Sequence, residues 1–496
     1  MASTAGLVAA IPAMKMLDYD LTMGELFLWA GSVAYLGVFF SVPLREQMVV
    51  VEKLRFPTGT ATAETIMAVF AKGEEAMLKS KKLINWAIFA GVVSLVAYFI
   101  PVIEHPPIVK WLGFTALSAW GFSLLLSPMM FGAGFLIGPR VGSSLLLGAI
   151  LSWGVLGPLA VDQGWVSDKI MDYKTGPRGW ILWPGVALMV TDALMSVLFS
   201  WKSIVKTFSR SKSGTVAVSK TTVISRKTWF LGLGAAITLL TTTAYFIFSI
   251  HPLLTLLAVT LSSALALIAT RSVGETDINP LGGMGKVTQM AFGAVDPGNI
   301  ATNLMAAGIT SAGANQAGDM MQDLKTGYLL GADPGKQFRA QCIGIFCGIF
   351  FAIPIYKLFD AAYVIGEGSV PAPAAHAWKA MALVLTQGFS ALPPNTMPSV
   401  VGAIVLGILI ACAKKIPTTK KWAPSGMAMG IAFIVPAYYA IVMFFGSMFL
   451  LWWQKSRPQN CEAYAYAVAS GLLAGEGLMG VVKAILTMLG VKPLFP

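Results

Sequence analysis

Charge is scarce in this chain, at 12% Asp, Glu, Lys and Arg together, and so are histidine, with three residues, and cysteine, with four. Cys342, Cys347, Cys412 and Cys461 lie in or beside apolar segments and form no Cys-x-x-Cys pair, so they read as small buried hydrophobes rather than metal or redox groups. No His-Glu-x-x-His occurs, which leaves a zinc protease without ligands. Gly285-Lys286 is followed by Val287, where a phosphate loop needs Ser or Thr. Gly388-Phe-Ser-Ala391 offers a serine, but no histidine follows it to act as base. Met1–Ala13 has no basic n-region and therefore no cleavable-signal pattern. Enzyme readings are excluded on these grounds, and no metal site or cofactor is expected in the protein itself.

What fills the chain instead is apolar sequence. It is 56% hydrophobic, with a mean hydropathy of +0.72. Runs of roughly 20 apolar residues, enough to cross a bilayer as helix, occur at Gly24–Leu44, Leu83–Ile103, Trp111–Ile137, Val141–Val161, Ile181–Ser200, Trp229–Ile250 and Pro252–Thr270. Gln341–Tyr356, Pro398–Ala413, Ser425–Leu451 and Ala463–Leu489 follow. The fold class is an all-α polytopic transmembrane bundle of about 11–14 segments, counting re-entrant and broken helices. One transporter domain, 1–496, is expected, with a first half over about 1–200, a loop at 202–227 and a second half over about 229–496. Trp180, Trp183, Trp452 and Trp453 at segment ends read as interface anchors.

The net charge of +12 does not point to nucleic acid, because the basic residues sit in short loops between spans. Lys202–Lys227 holds seven, Lys414–Lys421 four, and Lys72–Lys82 four against two Glu. Such loops face the cytoplasm, and four spans between successive clusters put all three on one side. Thr60–Phe70 is too short to cross and reads as a re-entrant or interfacial element, while 287–313 and 376–391 both cross or both do not.

The chain also repeats itself. Gly37-Val-Phe-Phe-Ser-Val-Pro-Leu44 returns as Gly348-Ile-Phe-Phe-Ala-Ile-Pro-Ile355, and Phe56–Ala63 has a counterpart in Val370–Ala377. Met130–Pro139 is matched by Met427–Pro436, again roughly 300 residues on. Duplicated halves with short, Pro/Gly-interrupted segments are how many carriers build a mid-membrane site. With the topology above the repeat is inverted.

One stretch stands apart from this apolar background: Ser311–Tyr328 carries Asp319, Asp323, Lys325, three amides and Tyr328 between apolar segments. Polar groups at such a place need protein or a water-filled cavity around them, which suggests a translocation site. Asp319 and Asp323 are four apart and share a helix face, where one can hold a proton. They are the residues expected to handle the proton or a substrate amine, with Gln316, Gln322 and Tyr328 as polar contacts. Lys325 either meets a substrate carboxylate or neutralises one of the aspartates. Asp296-Pro-Gly-Asn299 is a helix break with a substrate-facing end or a turn with an N-cap, and Asp296, Asn299 and Asn303 extend the cavity in the first case. Asp192 lines a cavity or pairs with a buried cation. Glu64 and Glu476 are balanced between cavity and interface, and Glu275 and Asp277 read as a loop end.

Taken together, Gly318-Asp-Met-Met-Gln-Asp-Leu-Lys-Thr-Gly-Tyr-Leu-Leu330, Phe338–Gly344, Val42-Pro-Leu-Arg45 with Phe56–Ala63, Leu146–Gly154, Gly388–Pro393 and Ala467–Gly475 resemble the oligopeptide transporter (OPT) family across nearly the whole chain. The Asp319–Tyr328 pattern is closer to the yellow-stripe-like branch. The resemblance implies a secondary carrier, generally proton-coupled, for small peptides or for metal complexes of peptide-like chelators, with the proton gradient as energy source and the metal held by the substrate's own ligands. The leading expectation is oligopeptides or peptide-like compounds, the alternative metal chelates of the nicotianamine or siderophore kind, and the last a passive channel. Membrane lipid and a homo-oligomer are the other expected partners, and the plasma or inner membrane the expected location. Family members carry further segments before the Val-Pro-Leu-Arg element, which here arrives at residue 42, so the first segments are expected to be missing.

Overall fold

The computed structural model describes residues 9–71, 73–173, 175–199, 223–276, 281–367 and 370–491. Residues 202–222 of the basic loop and Asp277 lie outside them, as do the side chains of Glu64 and Glu275. No strand occurs among the described residues. The main helices are α1 (Met23–Arg45), α2 (Pro57–Ala71), α3 (Gly73–Phe99), α4 (Pro128–Ala149, continued by π-helical turns Ile150–Leu156), α5 (Pro177–Phe199), α6 (Arg226–Phe248), α7 (Pro252–Thr276) and α8 (Leu281–Val295). They continue with α9 (Ile300–Leu330), α10 (Pro334–Ala362), α11 (Pro373–Gln387), α12 (Met397–Ala413), α13 (Gly426–Ile434), α14 (Ala437–Ser456) and α15 (Pro458–Met488). Proline opens α2, α4, α5, α7, α10, α11 and α15, where its missing N–H costs nothing and its fixed φ suits the first turn. Thr22 and Glu25 form a reciprocal cap on α1. Among the described residues, eight helices are long and apolar enough to cross a membrane, and the chain is an integral multi-pass membrane protein.

Three segments differ from the sequence expectation. Trp111–Ile137 is not one span: it breaks into the short turns Ile108–Trp111 and Thr115–Ala119 before α4 begins at Pro128. Left-handed Gly113 (φ 87°) and Gly121 (φ 81°) end those turns. Ser425–Leu451 is interrupted, with Val435 extended between α13 and α14. Finally, Ile300–Leu330 is one continuous helix of 31 residues, although its polarity hid it from a hydropathy reading. The count of four crossings between successive basic loops therefore does not carry over.

The repeated motifs adopt matching local structures. Each of α1 and α10 carries an interior proline, Pro43 and Pro354, and each is followed by a 15-residue helix, α2 and α11. The other pair ends in a break both times, at Gly138 (φ 74°, ψ 171°) before Pro139 and at Val435 before Pro436.

Two compact units are built from these helices, and each is assembled from three separate stretches of the chain. The first comprises Met1–Ala71, Ala193–Lys357 and Ala374–Ala391. Its axis is α9, enclosed by α1, α2, α7 and α8, while α6 packs on α1. The second comprises Lys72–Asp192, Leu358–Pro373 and Leu392–Pro496. There α4 packs on α13, α14 and α15, and α3 lies along α15. Its core holds Trp153, Trp180 and Phe433. Trp180 is thus buried, ring to ring with Trp165 at 5.6 Å, and is no interface anchor. Glu476 accepts from Ser127 Oγ and from the Met129 N–H, both at 2.8 Å, and so holds the start of α4. Of the cysteines only Cys461 is buried, whereas Cys347 and Cys412 lie exposed on apolar helices.

Candidate functional site

Helix α9 starts where the sequence suggested a break: α8 ends at Val295, Gly298 turns the chain with φ 87°, and Asn299 Oδ1 accepts from the Thr302 N–H at 3.0 Å. From Ala301 to Ala314 every residue is buried, polar ones included. Burial of that kind requires partners inside the protein, and α8 supplies several. Asn303 Nδ2 donates to the Gln289 carbonyl at 2.7 Å, Gln289 Nε2 donates to Asn303 Oδ1 at 3.2 Å and to the Trp378 carbonyl at 3.0 Å, and Thr288 and Thr310 share a hydroxyl bond of 2.8 Å. Asn303 therefore knits α8 to α9. Beside it Lys286, 1% exposed, sets its ammonium 5.8 Å from the Trp378 ring centre and has no carboxylate partner among the described residues.

Beyond Ala314 the burial opens on one side. Asn315, Asp319, Gln322 and Thr326 are half-buried and Asp323 is exposed, while Gln316, Ala317, Gly318, Met320, Met321, Leu324 and Lys325 stay buried. At 100° per residue these open positions fall on a single strip. The strip is polar throughout: Asn315 Nδ2 donates to Asp319 Oδ2 at 3.3 Å, and Asp323 follows one turn on. Two carboxylates at that spacing repel when both are ionised, so a proton or a cation on one of them is favoured. On the buried side, Gln316 has neither amide atom bonded to any described group. A buried amide without a protein partner is a place for water or for a polar ligand.

Further along, the helix serves as an anchor. Gln322 Oε1 accepts from the Gly59 N–H at 2.7 Å, Thr326 Oγ1 donates to the Gly59 carbonyl at 2.8 Å, and Lys325 Nζ donates to the Leu54 carbonyl at 2.8 Å. These bonds hold the start of the 15-residue helix α2. Lys325 also lies 5.9 Å from the Tyr328 ring centre, and Tyr328 itself is exposed. Lys325 forms no ion pair with Asp319 or Asp323 among the described residues, and Gln322 Oε1 is engaged by backbone.

Asp192 belongs to the second unit. It accepts from Lys414 Nζ at 2.6 Å and from the Met427 N–H at 3.1 Å, an ion pair that also holds the first turn of α13. Asp296 sits half-buried at the break. The structure thus gathers Gln316, Asp319 and Asp323 with Asn315 on the middle of α9, while Asn299 caps that helix and Asn303, Gln322 and Lys325 bond to neighbouring segments.

Two residues of the first unit escaped the sequence reading. Lys286 follows Gly285 in the failed phosphate-loop pattern, and no local signal marks its burial, since its helical neighbours Gly282, Gly283, Gln289 and Met290 form no apolar face. Arg45, the last residue of the Val-Pro-Leu-Arg motif, is 4% exposed with Nε and Nη1 unbonded among the described residues.

The profile of the OPT oligopeptide transporter protein family matches residues 1–487. The chain is 27% identical to a putative oligopeptide transporter of Saccharomyces cerevisiae, over 98% of this chain and 85% of that protein. It is 30% identical to a probable metal-nicotianamine transporter of Oryza sativa subsp. japonica, over 95% of this chain and 70% of the relative. With a similar protein of Arabidopsis thaliana it shares 28% identity over 93% of this chain and 74% of the other. A match over almost the whole length leaves one assignment: the chain is a member of the OPT family of membrane transporters, and not an enzyme.

Proposed function

We propose that this OPT transporter is a secondary, proton-driven carrier of oligopeptides or closely related amino-acid-derived compounds in the cell membrane. The observation that carries the reading is the open strip Asn315, Asp319, Asp323 on a helix that is wholly buried from Ala301 to Ala314. A carrier of zwitterionic substrates needs an anionic group that can lose its charge to a proton or share it with a substrate amine, and a carboxylate pair one turn apart meets that need. Gln316, with donor and acceptor both unbonded, adds amide recognition of the kind a peptide backbone requires.

A second reading has its own support. Relatives from rice and Arabidopsis are described as probable metal-nicotianamine transporters, and a chelate with amino and carboxylate groups would meet the same strip. Uptake by purified protein in liposomes with an inward proton gradient separates the two. Accumulation of metal-free di- to tetrapeptides above the outside concentration is the expected result. Accumulation only when a chelated transition metal is supplied would transfer the protein to the second reading. Equilibration without accumulation would replace the carrier by a passive pore.

A further inference from the structure

The second unit contains a groove of about 840 Å³ between α3, α4, α14 and α15, and nothing in the transport reading uses it. Its two ends differ in chemistry. At one end stand Lys82 and Arg457 with Asn460, and Lys82 Nζ lies 6.0 Å from the Tyr464 ring centre. Both cations are exposed, and neither pairs with a carboxylate among the described residues. From there the wall is apolar and aromatic, with Trp86, Phe89, Phe131, Phe449 and Trp453, and Leu125 and Leu126 also line it.

Length decides what fits. Lys82, Trp86, Phe89 and Val93 follow one face of α3 along the groove, and eleven residues of helix rise about 16 Å. That is about half of a hydrocarbon core of ~30 Å, or one leaflet. The basic end agrees with the cytoplasmic leaflet, where basic loops gather and anionic lipids concentrate. A neutral lipid or a soluble anion would satisfy only half of this lining.

We propose that the groove binds one anionic phospholipid, with its phosphate between Lys82 and Arg457 and an acyl chain against Trp86, Phe89, Phe131 and Phe449. Each cation attracts the phosphate by an amount that together favours an anionic over a zwitterionic headgroup by about tenfold or more. The occupant is a structural lipid, not cargo, and its place is separate from α9 in the chain's organisation.

The test uses the full-length protein, purified, delipidated and examined by native mass spectrometry with phosphatidylglycerol, with phosphatidylcholine of the same chains, and with inorganic phosphate. Phosphatidylglycerol should bind at least about tenfold tighter than phosphatidylcholine. Lys82→Gln with Arg457→Gln should erase that preference, and Lys82→Arg with Arg457→Lys should keep it. A second measurement needs no charge variant. Phosphatidylglycerol with brominated acyl chains should quench tryptophan fluorescence, and Trp86→Phe with Trp452→Phe and Trp453→Phe, the three tryptophans of the lining, should remove most of the quenching, unlike Trp422→Phe. Equal binding of the two lipids, an unchanged preference in the double glutamine variant, displacement of the lipid by inorganic phosphate, or quenching indifferent to Trp86, Trp452 and Trp453 would each overturn the proposal.

Discussion

The contact of α8 with α9 in one unit and that of α4 with α14 in the other bury different kinds of surface. In the first, the residues removed from solvent around α8 and α9 include Lys286, Thr288, Gln289, Thr302, Asn303, Thr310, Ser311 and Gln316. In the second, α4 meets α14 so closely that a Cβ on Gly134 would stand 2.4 Å from the Met443 carbonyl oxygen and 3.0 Å from Gly446 Cα. Where α8 meets α9 the helices are joined by side-chain hydrogen bonds, whereas where α4 meets α14 the contact is dispersion between close backbones. Polar groups are expensive to bury and are retained where they act on something. Close packing of small residues says only that two helices belong together.

The comparison breaks first if charge on the α9 strip is dispensable. Asp319→Asn with Asp323→Asn should lower gradient-driven uptake in liposomes by at least about tenfold, the scale of losing an ionic contact of a few kcal/mol. Thermal stability should stay near that of the unaltered protein, because the strip lies outside the packed core. Undiminished accumulation by this variant would remove the carboxylates from the mechanism. Gly134→Val tests the other unit. Overpacking against backbone should cost about 1–3 kcal/mol, seen as a lower unfolding temperature, while transport per folded molecule changes little. A stable Gly134→Val protein would mean that α4 and α14 are not in close contact. The smallest effect sharpens the contrast: Gln316→Leu removes two unbonded buried polar atoms and should raise stability by about 1 kcal/mol while reducing uptake. If stability falls as well, Gln316 has a structural partner and not a ligand.

The fold was legible where lipid-like surface does the work. Apolar runs overlap α1, α3, α6, α7, α10, α12 and α15, because such helices owe their place to hydrophobicity that a sequence displays. Helices α3 and α10 nevertheless extend beyond their runs, to Gly73–Phe99 and Pro334–Ala362. The same signal failed at Ile300–Leu330, whose Asn, Thr, Ser, Gln and Asp lower its hydropathy although other helices enclose it. It failed again at Trp111–Ile137, which is apolar enough to cross but is cut by left-handed Gly113 and Gly121. At the site, the carboxylate pair could be read from spacing alone. That Gln322 and Lys325 bond to Gly59 and Leu54 could not, since those partners lie more than 260 residues away in the chain. Lys286 was hidden for a related reason, as its burial depends on how α8 and Trp378 come together.

Helices α2, α8 and α11 of the first unit have 15 residues each, which makes them about 22 Å long against a hydrocarbon core of ~30 Å. Electrically that shortfall matters. Where such a helix stops within the hydrocarbon, water or protein has to reach its end groups, and a water-filled approach carries the potential of the bulk with it. The membrane voltage then falls across the remaining layer alone. The work on each transported charge stays at about 2.3 kcal/mol per 100 mV, but the field that delivers it grows as the layer thins. In such a unit a charged substrate is driven over a short distance by a steep field, and voltage becomes as direct a handle on uptake as concentration.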